Sequence, residues 1–192
     1  MAIVEFIIIL GVSLDIFAAM ECQGALVAKV EKKRLASFCG ILAVGQAFAL
    51  GAGSYISLLL CQNVRGRGEA FLGQVAAAAI FLCQGARLFW KAWRNERIVE
   101  HRKEKLDMAE FVRFYVKTSL FTLLTGLAFG FLGSSVELIL ALITVVTALV
   151  TVFGIYTGYR LGFEHKAKAY LAGGILLVAG GMDVVLGHIC NF

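Results

Sequence analysis

The sequence predicts an all-α membrane protein with six transmembrane helices. Of its 192 residues, 60% are hydrophobic and 16% are charged, whereas a soluble domain has about 45–50% apolar and about 25% charged residues. Six apolar runs are present, none with strand-like alternation, and each is long enough for a helix that crosses a membrane in roughly 17–25 residues. The runs cover residues 4–28, 35–61, 70–90, 115–132, 136–159 and 169–189.

The basic residues predict the orientation of these helices. Of the 18 Lys and Arg residues, only Arg65 and Arg67 lie on one side of the predicted membrane, and the others flank the three loops on the opposite side. Loops rich in Lys and Arg stay in the cytoplasm, so both termini of this multi-pass membrane protein are expected outside. The net charge of +5 then follows from topology and contact with anionic lipid, and no nucleic-acid partner is needed.

The charged segment in the middle divides the chain into two halves. We expect a first three-helix half over residues 1–90, a cytoplasmic linker over 91–114 and a second half over 115–192. An odd number of spans per half means that the second half inserts upside down, as in many transporters built from inverted repeats. The linker reads as a solvated helical segment, and residues 91–117 could alternatively dock a protein partner.

The first span carries two acids. Asp15 shares a narrow face with Gly11 and Ala19 at helical spacing, and such a face is expected to point into the bundle. An intramembrane carboxylate costs about 2.5–3.5 kcal/mol on the insertion scale, which favours a functional role, with a structural acid as the alternative. Glu21 is expected nearer the cytoplasm, as a ligand or proton carrier, or paired with a basic loop residue.

The middle spans contribute uncharged polar groups. Gln46 in the second span and Gln84 in the third could bind a cation or bridge helices. Small and hydroxyl residues form stripes in spans four and five, which either pack helices or line a polar path. The members of the fourth-span stripe are Ser119, Thr122, Gly126, Gly130 and Gly133.

The last span has glycines at seven-residue spacing with Asp183 beside them, either as a second intramembrane acid or at the outer interface. The five cysteines form no C-x-x-C pair, which argues against thiolate metal or thiol-redox chemistry. A disulfide between Cys61 and Cys190 is possible near the outer face. With 21 glycines and no proline, glycine is the remaining helix-breaking residue, so we expect straight helices.

The buried polar set therefore consists of carboxylate, amide and hydroxyl oxygens. Such oxygens suit hard divalent cations, and carboxylates can also carry protons. We expect a cation and proton path through Asp15, Glu21, Gln46, Ser119, Thr122 and Asp183, with Asp15, Gln46 and Thr122 as candidate metal ligands. No nucleotide-binding loop or nucleophile–base pair is found, so neither an enzyme nor a bound cofactor is predicted.

Four motifs resemble those of the bacterial manganese efflux pump (MntP-type) family. The first, GVSLDIFAA at residues 11–19, is similar to the family pattern small-x-S-M-D-A-F-A. The others are VGQA at 44–47, GIYTGYRLG at 154–162, and KAK at 166–168 followed by GGIL at 173–176. The resemblance covers essentially the whole chain. It implies a transporter of the LysE-type superfamily that exports Mn²⁺ through two inverted three-helix halves, with one aspartate from each half in the cation path.

The chain departs from the family pattern in its second half. The first aspartate matches Asp15, but residues 119–121 read Ser-Leu-Phe where the family has Ser-Leu-Asp, so Phe121 occupies the second aspartate position. Ala49 stands near a family proline, and Glu21 and Asp183 are additions. A divergent exporter of divalent cations, with or without proton exchange, is the first hypothesis. An exporter of another small solute such as an amino acid, and a non-transporting component of a membrane complex, are the alternatives.

Overall fold

The computed structural model describes residues 2–26, 32–62, 67–94, 108–162 and 165–189, and these form six helices with no strand among them. All six are long and apolar enough to cross a membrane, so the predicted all-α, six-span fold class is confirmed. The helices are α1 (Ala2–Leu26), α2 (Lys32–Gln62), α3 (Arg67–Arg94), α4 (Met108–Phe131), α5 (Val136–Leu161) and α6 (Lys166–Val184), which continues as a π-helical turn over Val185–Ile189.

Glycine ends two of these helices. Gly133, between α4 and α5, has φ +67°, and Gly162, after α5, has φ +71°, a left-handed conformation that a side chain disfavours. The backbone N–H of Gly162 donates to the carbonyl of Gly158 at 2.9 Å and closes the last turn of α5. Within the described ranges, α1 to α5 each run without a break, as expected for a chain that has no proline.

The pattern of helix contacts is unchanged when α1, α2 and α3 are exchanged for α4, α5 and α6. Helix α1 packs against α5 and α6, and α4 packs against α2 and α3. Two further pairs are α2 with α5 and α3 with α6. The core between them is formed by side chains such as Ile8, Phe81 and Phe129. Large apolar side chains such as Trp93 point outward, where a bilayer would cover them.

Glycines let the helix backbones touch. A Cβ atom added to Gly126 of α4 would lie 2.1 Å from the carbonyl oxygen of Leu50 in α2, and one added to Gly53 would lie 2.1 Å from the carbonyl oxygen of Leu123. Small residues at crossings permit this approach in membrane proteins. Gly126, a member of the small-residue stripe in the fourth span, therefore packs α4 against α2.

A methyl group at Gly53 is expected to destabilise the bundle. The Gly53→Ala variant must push α2 away from the backbone of α4, at a cost of about 1–3 kcal/mol or more. Gly40→Ala in the same helix is the matched control, because nothing lies within 4 Å of its added Cβ, and alanine favours helix over glycine by up to about 1 kcal/mol. Thermal unfolding in detergent measures both. Equal midpoints for the two variants would contradict the close α2–α4 contact.

Candidate functional site

The centre of the candidate site is the carboxylate of Asp15, which is 4% exposed in α1. Two cations from α3 bind it: Arg87 Nη1 lies 3.2 Å from Oδ2, and Lys91 Nζ lies 2.7 Å from Oδ1. Arg87 and Lys91 are four residues apart, so they share one face of their helix. Both are partly exposed, at 26% and 31% of their side chains. The cluster therefore combines one carboxylate with two basic groups.

An aromatic ring lies beside each of these two cations. The guanidinium of Arg87 lies 3.3 Å from the ring centroid of Phe121 on α4. The ammonium of Lys91 lies 5.1 Å from the ring centroid of Tyr170 on α6. Cations over aromatic faces gain about 0.5–2 kcal/mol, more when water is excluded. Each basic side chain is therefore held between the carboxylate of Asp15 and a ring of a neighbouring helix.

Two cavities meet at Arg87. The inner cavity, about 10 Å³ in volume, has Asp15, Gln84, Arg87, Thr118 and Phe121 among its lining residues, which is room for about one water molecule. A larger cavity of about 240 Å³ is lined by side chains of α3 and α4 and also borders Gln84, Arg87 and Phe121. These three side chains therefore separate the inner cavity at Asp15 from a mostly apolar opening between α3 and α4.

Amide and hydroxyl groups connect the helices beside this cavity. Gln84 donates from Nε2 to the carbonyl of Phe121 at 3.1 Å and accepts from the hydroxyl of Thr125 at 3.2 Å. Thr122 donates to Oε1 of the fully buried Gln46. In the part of the chain that the structure describes, the Nε2 atom of Gln46 has no hydrogen-bond partner. The structure thus brings together Gln46 and Thr122, two of the three predicted metal ligands, while the partners of Asp15 are basic side chains.

The remaining predicted site residues lie elsewhere. Glu21 is fully buried near the end of α1, where its carboxylate meets His165 in the α5–α6 turn. Ser119 on α4 has a buried hydroxyl that finds no hydrogen-bond partner among the described side chains and backbone. Asp183 is exposed and borders a cavity of about 60 Å³ that Glu5 also lines. In the part of the chain that the structure describes, no three His, Cys, Asp or Glu side chains gather to hold a metal ion.

Some sequence predictions fall outside the described residues. Residues 95–107, which belong to the predicted linker and docking segment, are outside the described part. On either side of them, α3 continues to Arg94 and α4 begins at Met108. The Cys61–Cys190 pairing concerns side chains that are also outside the described part.

Sequence reasoning missed Arg87 and Lys91 as site residues, because it counted them only among the basic residues that set the orientation. A signal was available. Arg87 lies inside the third apolar run, and a basic residue within a span almost always pairs with an acid or faces a polar cavity. Asp15 was already the predicted acid of the first span, so a pair of Asp15 with Arg87 could have been proposed from the sequence. The contact of Lys91 with the ring of Tyr170 required the fold.

Comparison with known proteins gives a consistent result. The family described as "Putative manganese efflux pump" matches residues 29–185. Relatives with that description include one from Clostridium perfringens, 25% identical over 93% of this chain and 91% of its own. One from Actinobacillus succinogenes is 25% identical over 95% of both chains, and one from Desulfitobacterium hafniense is 26% identical over 96% and 94%. No solved structure matches the chain. Because the family match covers most of its length, this six-helix membrane protein belongs to the MntP family.

Proposed function

We propose that the protein exports Mn²⁺ or a similar divalent cation across the bacterial cytoplasmic membrane, and that Asp15 accepts the ion. The observation that carries this proposal is a buried carboxylate in a membrane-spanning helix whose partners, in the described part of the chain, are the basic side chains Arg87 and Lys91. An intramembrane acid of this kind marks an ion or proton pathway. The family to which the chain belongs is described as a manganese efflux pump.

An ion that binds Asp15 would have to displace the two basic side chains that now contact its carboxylate. Their aromatic neighbours, Phe121 and Tyr170, can hold the displaced cations. Because both side chains stay in the bundle, a bound divalent ion would add two positive charges to the site, and loss of one proton would remove one of them.

Neighbouring oxygen atoms can complete the coordination of the ion. The cavity at Asp15 includes the amide of Gln84 and the hydroxyl residue Thr118, and the hydrogen-bonded pair of Gln46 and Thr122 joins α2 to the same helix α4. Carboxylate, amide and hydroxyl oxygens are ligands suited to hard cations such as Mn²⁺.

Lys91 is the group that we assign to proton exchange. An ammonium can release a proton, whereas a guanidinium stays protonated in proteins. When the divalent ion displaces Lys91 from Asp15, release of the Lys91 proton would lower the positive charge in the site. Return of Lys91 to Asp15 would then require a proton from the opposite side of the membrane.

The proposal includes an inverted repeat, in which a position of the second half of the chain corresponds to Asp15. A Cβ added to Gly154 of α5 would lie 2.9 Å from the carbonyl oxygen of Phe17, just as Gly53 of α2 meets Leu123. Asp15 stands two residues before Phe17, and Phe121 stands two residues before Leu123. Phe121 is then the counterpart of Asp15 in the second half, and Arg87 lies between the two positions.

A second candidate function is export of a zwitterionic solute such as an amino acid. It is favoured by the presence of both charge signs at one site, because Asp15 could bind an ammonium group while Arg87 and Lys91 bind a carboxylate. Arginine in particular binds carboxylates through paired hydrogen bonds.

Flux measurements test these alternatives. The full chain, reconstituted in liposomes that contain a dye quenched by Mn²⁺, is expected to admit Mn²⁺ faster than protein-free liposomes. Glu137→Gln is the control for loss of an acid, because Glu137 is exposed in the first turn of α5, and its flux should equal that of the original chain. The pH gradient across the liposome membrane is then imposed in each of its two directions. If Mn²⁺ does not move under either gradient but a labelled amino acid is taken up, the second candidate function replaces the first.

A further inference from the structure

The end of the bundle that holds the α5–α6 turn contains a second polar pair, Glu21 and His165. The carboxylate of Glu21 is fully buried. Its Oε1 atom accepts a hydrogen bond from the backbone N–H of His165 at 3.0 Å. Its Oε2 atom is also buried and has no hydrogen-bond partner among the described residues. One oxygen of this carboxylate is therefore unpaired in that part of the chain, and an unpaired buried polar group is costly.

The imidazole of His165 is unsatisfied at the same place. Its Nδ1 atom is buried, has no hydrogen-bond partner within the described ranges, and lies 3.8 Å from Oε1 of Glu21. His165 occupies the N-cap position of α6, yet its side chain does not cap the helix. The large majority of buried polar atoms are paired, so an unpaired oxygen and an unpaired nitrogen on neighbouring side chains favour a shared partner that accepts electron pairs.

We infer that Glu21 and His165 form a second site for a divalent transition-metal cation such as Mn²⁺. A carboxylate oxygen and an imidazole nitrogen together suit Mn²⁺, Fe²⁺ and Zn²⁺. Two ligand atoms that each lie about 2.0–2.2 Å from one ion can be up to about 4.4 Å apart, and the observed 3.8 Å lies within that limit. Water molecules would complete the coordination.

The exposed side chain of His165 provides a route for the ion, and a close contact of α1 with α5 fixes the position of the carboxylate. The side chain of His165 is 41% exposed, whereas that of Glu21 is fully buried. An ion from the aqueous side would therefore meet the imidazole first and the carboxylate second. At this level α1 contacts α5 directly, because a Cβ added to Gly158 would lie 2.0 Å from the carbonyl oxygen of Glu21. Lys166 follows His165 in sequence and adds positive charge, which favours release of the ion over tight retention.

This inference extends the proposed export function, on which its biological role rests, by adding a loading site before Asp15. Glu21 lies six residues after Asp15 on α1, which is about 9 Å along the helix axis. Tyr170, one turn into α6 from His165, contacts Lys91, which in turn binds Asp15. The positive-inside rule places this end in the cytoplasm, the side from which an exporter takes its substrate.

Pulsed electron paramagnetic resonance of Mn²⁺ bound to the purified full chain, without a polyhistidine tag, tests the site. The spectrum of the original chain is expected to show coupling of Mn²⁺ to an imidazole nitrogen. His165→Ala should abolish the coupling, and the matched control His188→Ala should retain it. Glu21→Gln should weaken Mn²⁺ binding by about tenfold or more, since loss of an outer-shell group alone costs about 10–100-fold. Asp15→Asn should leave the nitrogen coupling unchanged.

The outcomes separate this site from the export function. If the original chain shows no nitrogen coupling, or if His165→Ala retains it, the Glu21–His165 site is wrong, even where Mn²⁺ flux depends on Asp15. If the coupling behaves as expected and no Mn²⁺ flux is found, the metal site is supported and the export function is overturned.

Discussion

Replacement of Asp15 by asparagine is expected to abolish Mn²⁺ flux and to destabilise the protein. The variant keeps the shape of the side chain and removes the charge that binds Arg87 and Lys91. Removing one partner from a buried ion pair costs about 3–5 kcal/mol, because the remaining charges are left unpaired. Flux in liposomes and thermal unfolding in detergent measure the two effects on the same preparation.

A second substitution separates the loss of flux from the loss of stability. In Asp15→Asn/Lys91→Met one of the two unpaired cations is gone, so part of the stability should return while flux stays at the level of protein-free liposomes. A folded Asp15→Asn protein with undiminished Mn²⁺ flux would exclude Asp15 as the carboxylate that accepts the ion.

The Lys91→Arg variant is expected to fold normally and to lose proton-driven Mn²⁺ movement. The new guanidinium keeps the positive charge beside Asp15 and Tyr170, but it cannot release a proton under physiological conditions. The original chain should accumulate Mn²⁺ in liposomes against its concentration gradient when a pH gradient is imposed. With Lys91→Arg this accumulation should fall to the background level.

The reciprocal change provides the control for this experiment. Arg87→Lys also exchanges one basic side chain for another at Asp15, but it leaves Lys91 in place, so the response to a pH gradient should persist. Loss of the response in both variants would point to the geometry of the ion cluster, and retention in both would show that Lys91 does not carry the proton.

The six helices could be predicted from the sequence because each is encoded locally. Apolar runs of sufficient length form helices in a membrane whatever they pack against, since every backbone polar group must be paired within the segment. Glycine spacing likewise indicated close helix packing, and Gly126 does contact the backbone of α2. The partner of each glycine stripe could not be predicted, because it depends on which helices lie side by side.

The sequence by itself determined that Asp15 lies within the membrane on a face of small residues, and that Gln46 and Thr122 are polar groups at similar depth. Only the tertiary structure decided what Asp15 binds. Arg87 and Lys91 are more than 70 positions away in the chain, and the contact of α1 and α4 with α6 and α3 brings them and two aromatic rings to the carboxylate. Charge interactions between helices depend on distances in space, which a single sequence does not contain. Whether basic side chains contact the carboxylate of Asp15 could therefore be read only from the fold.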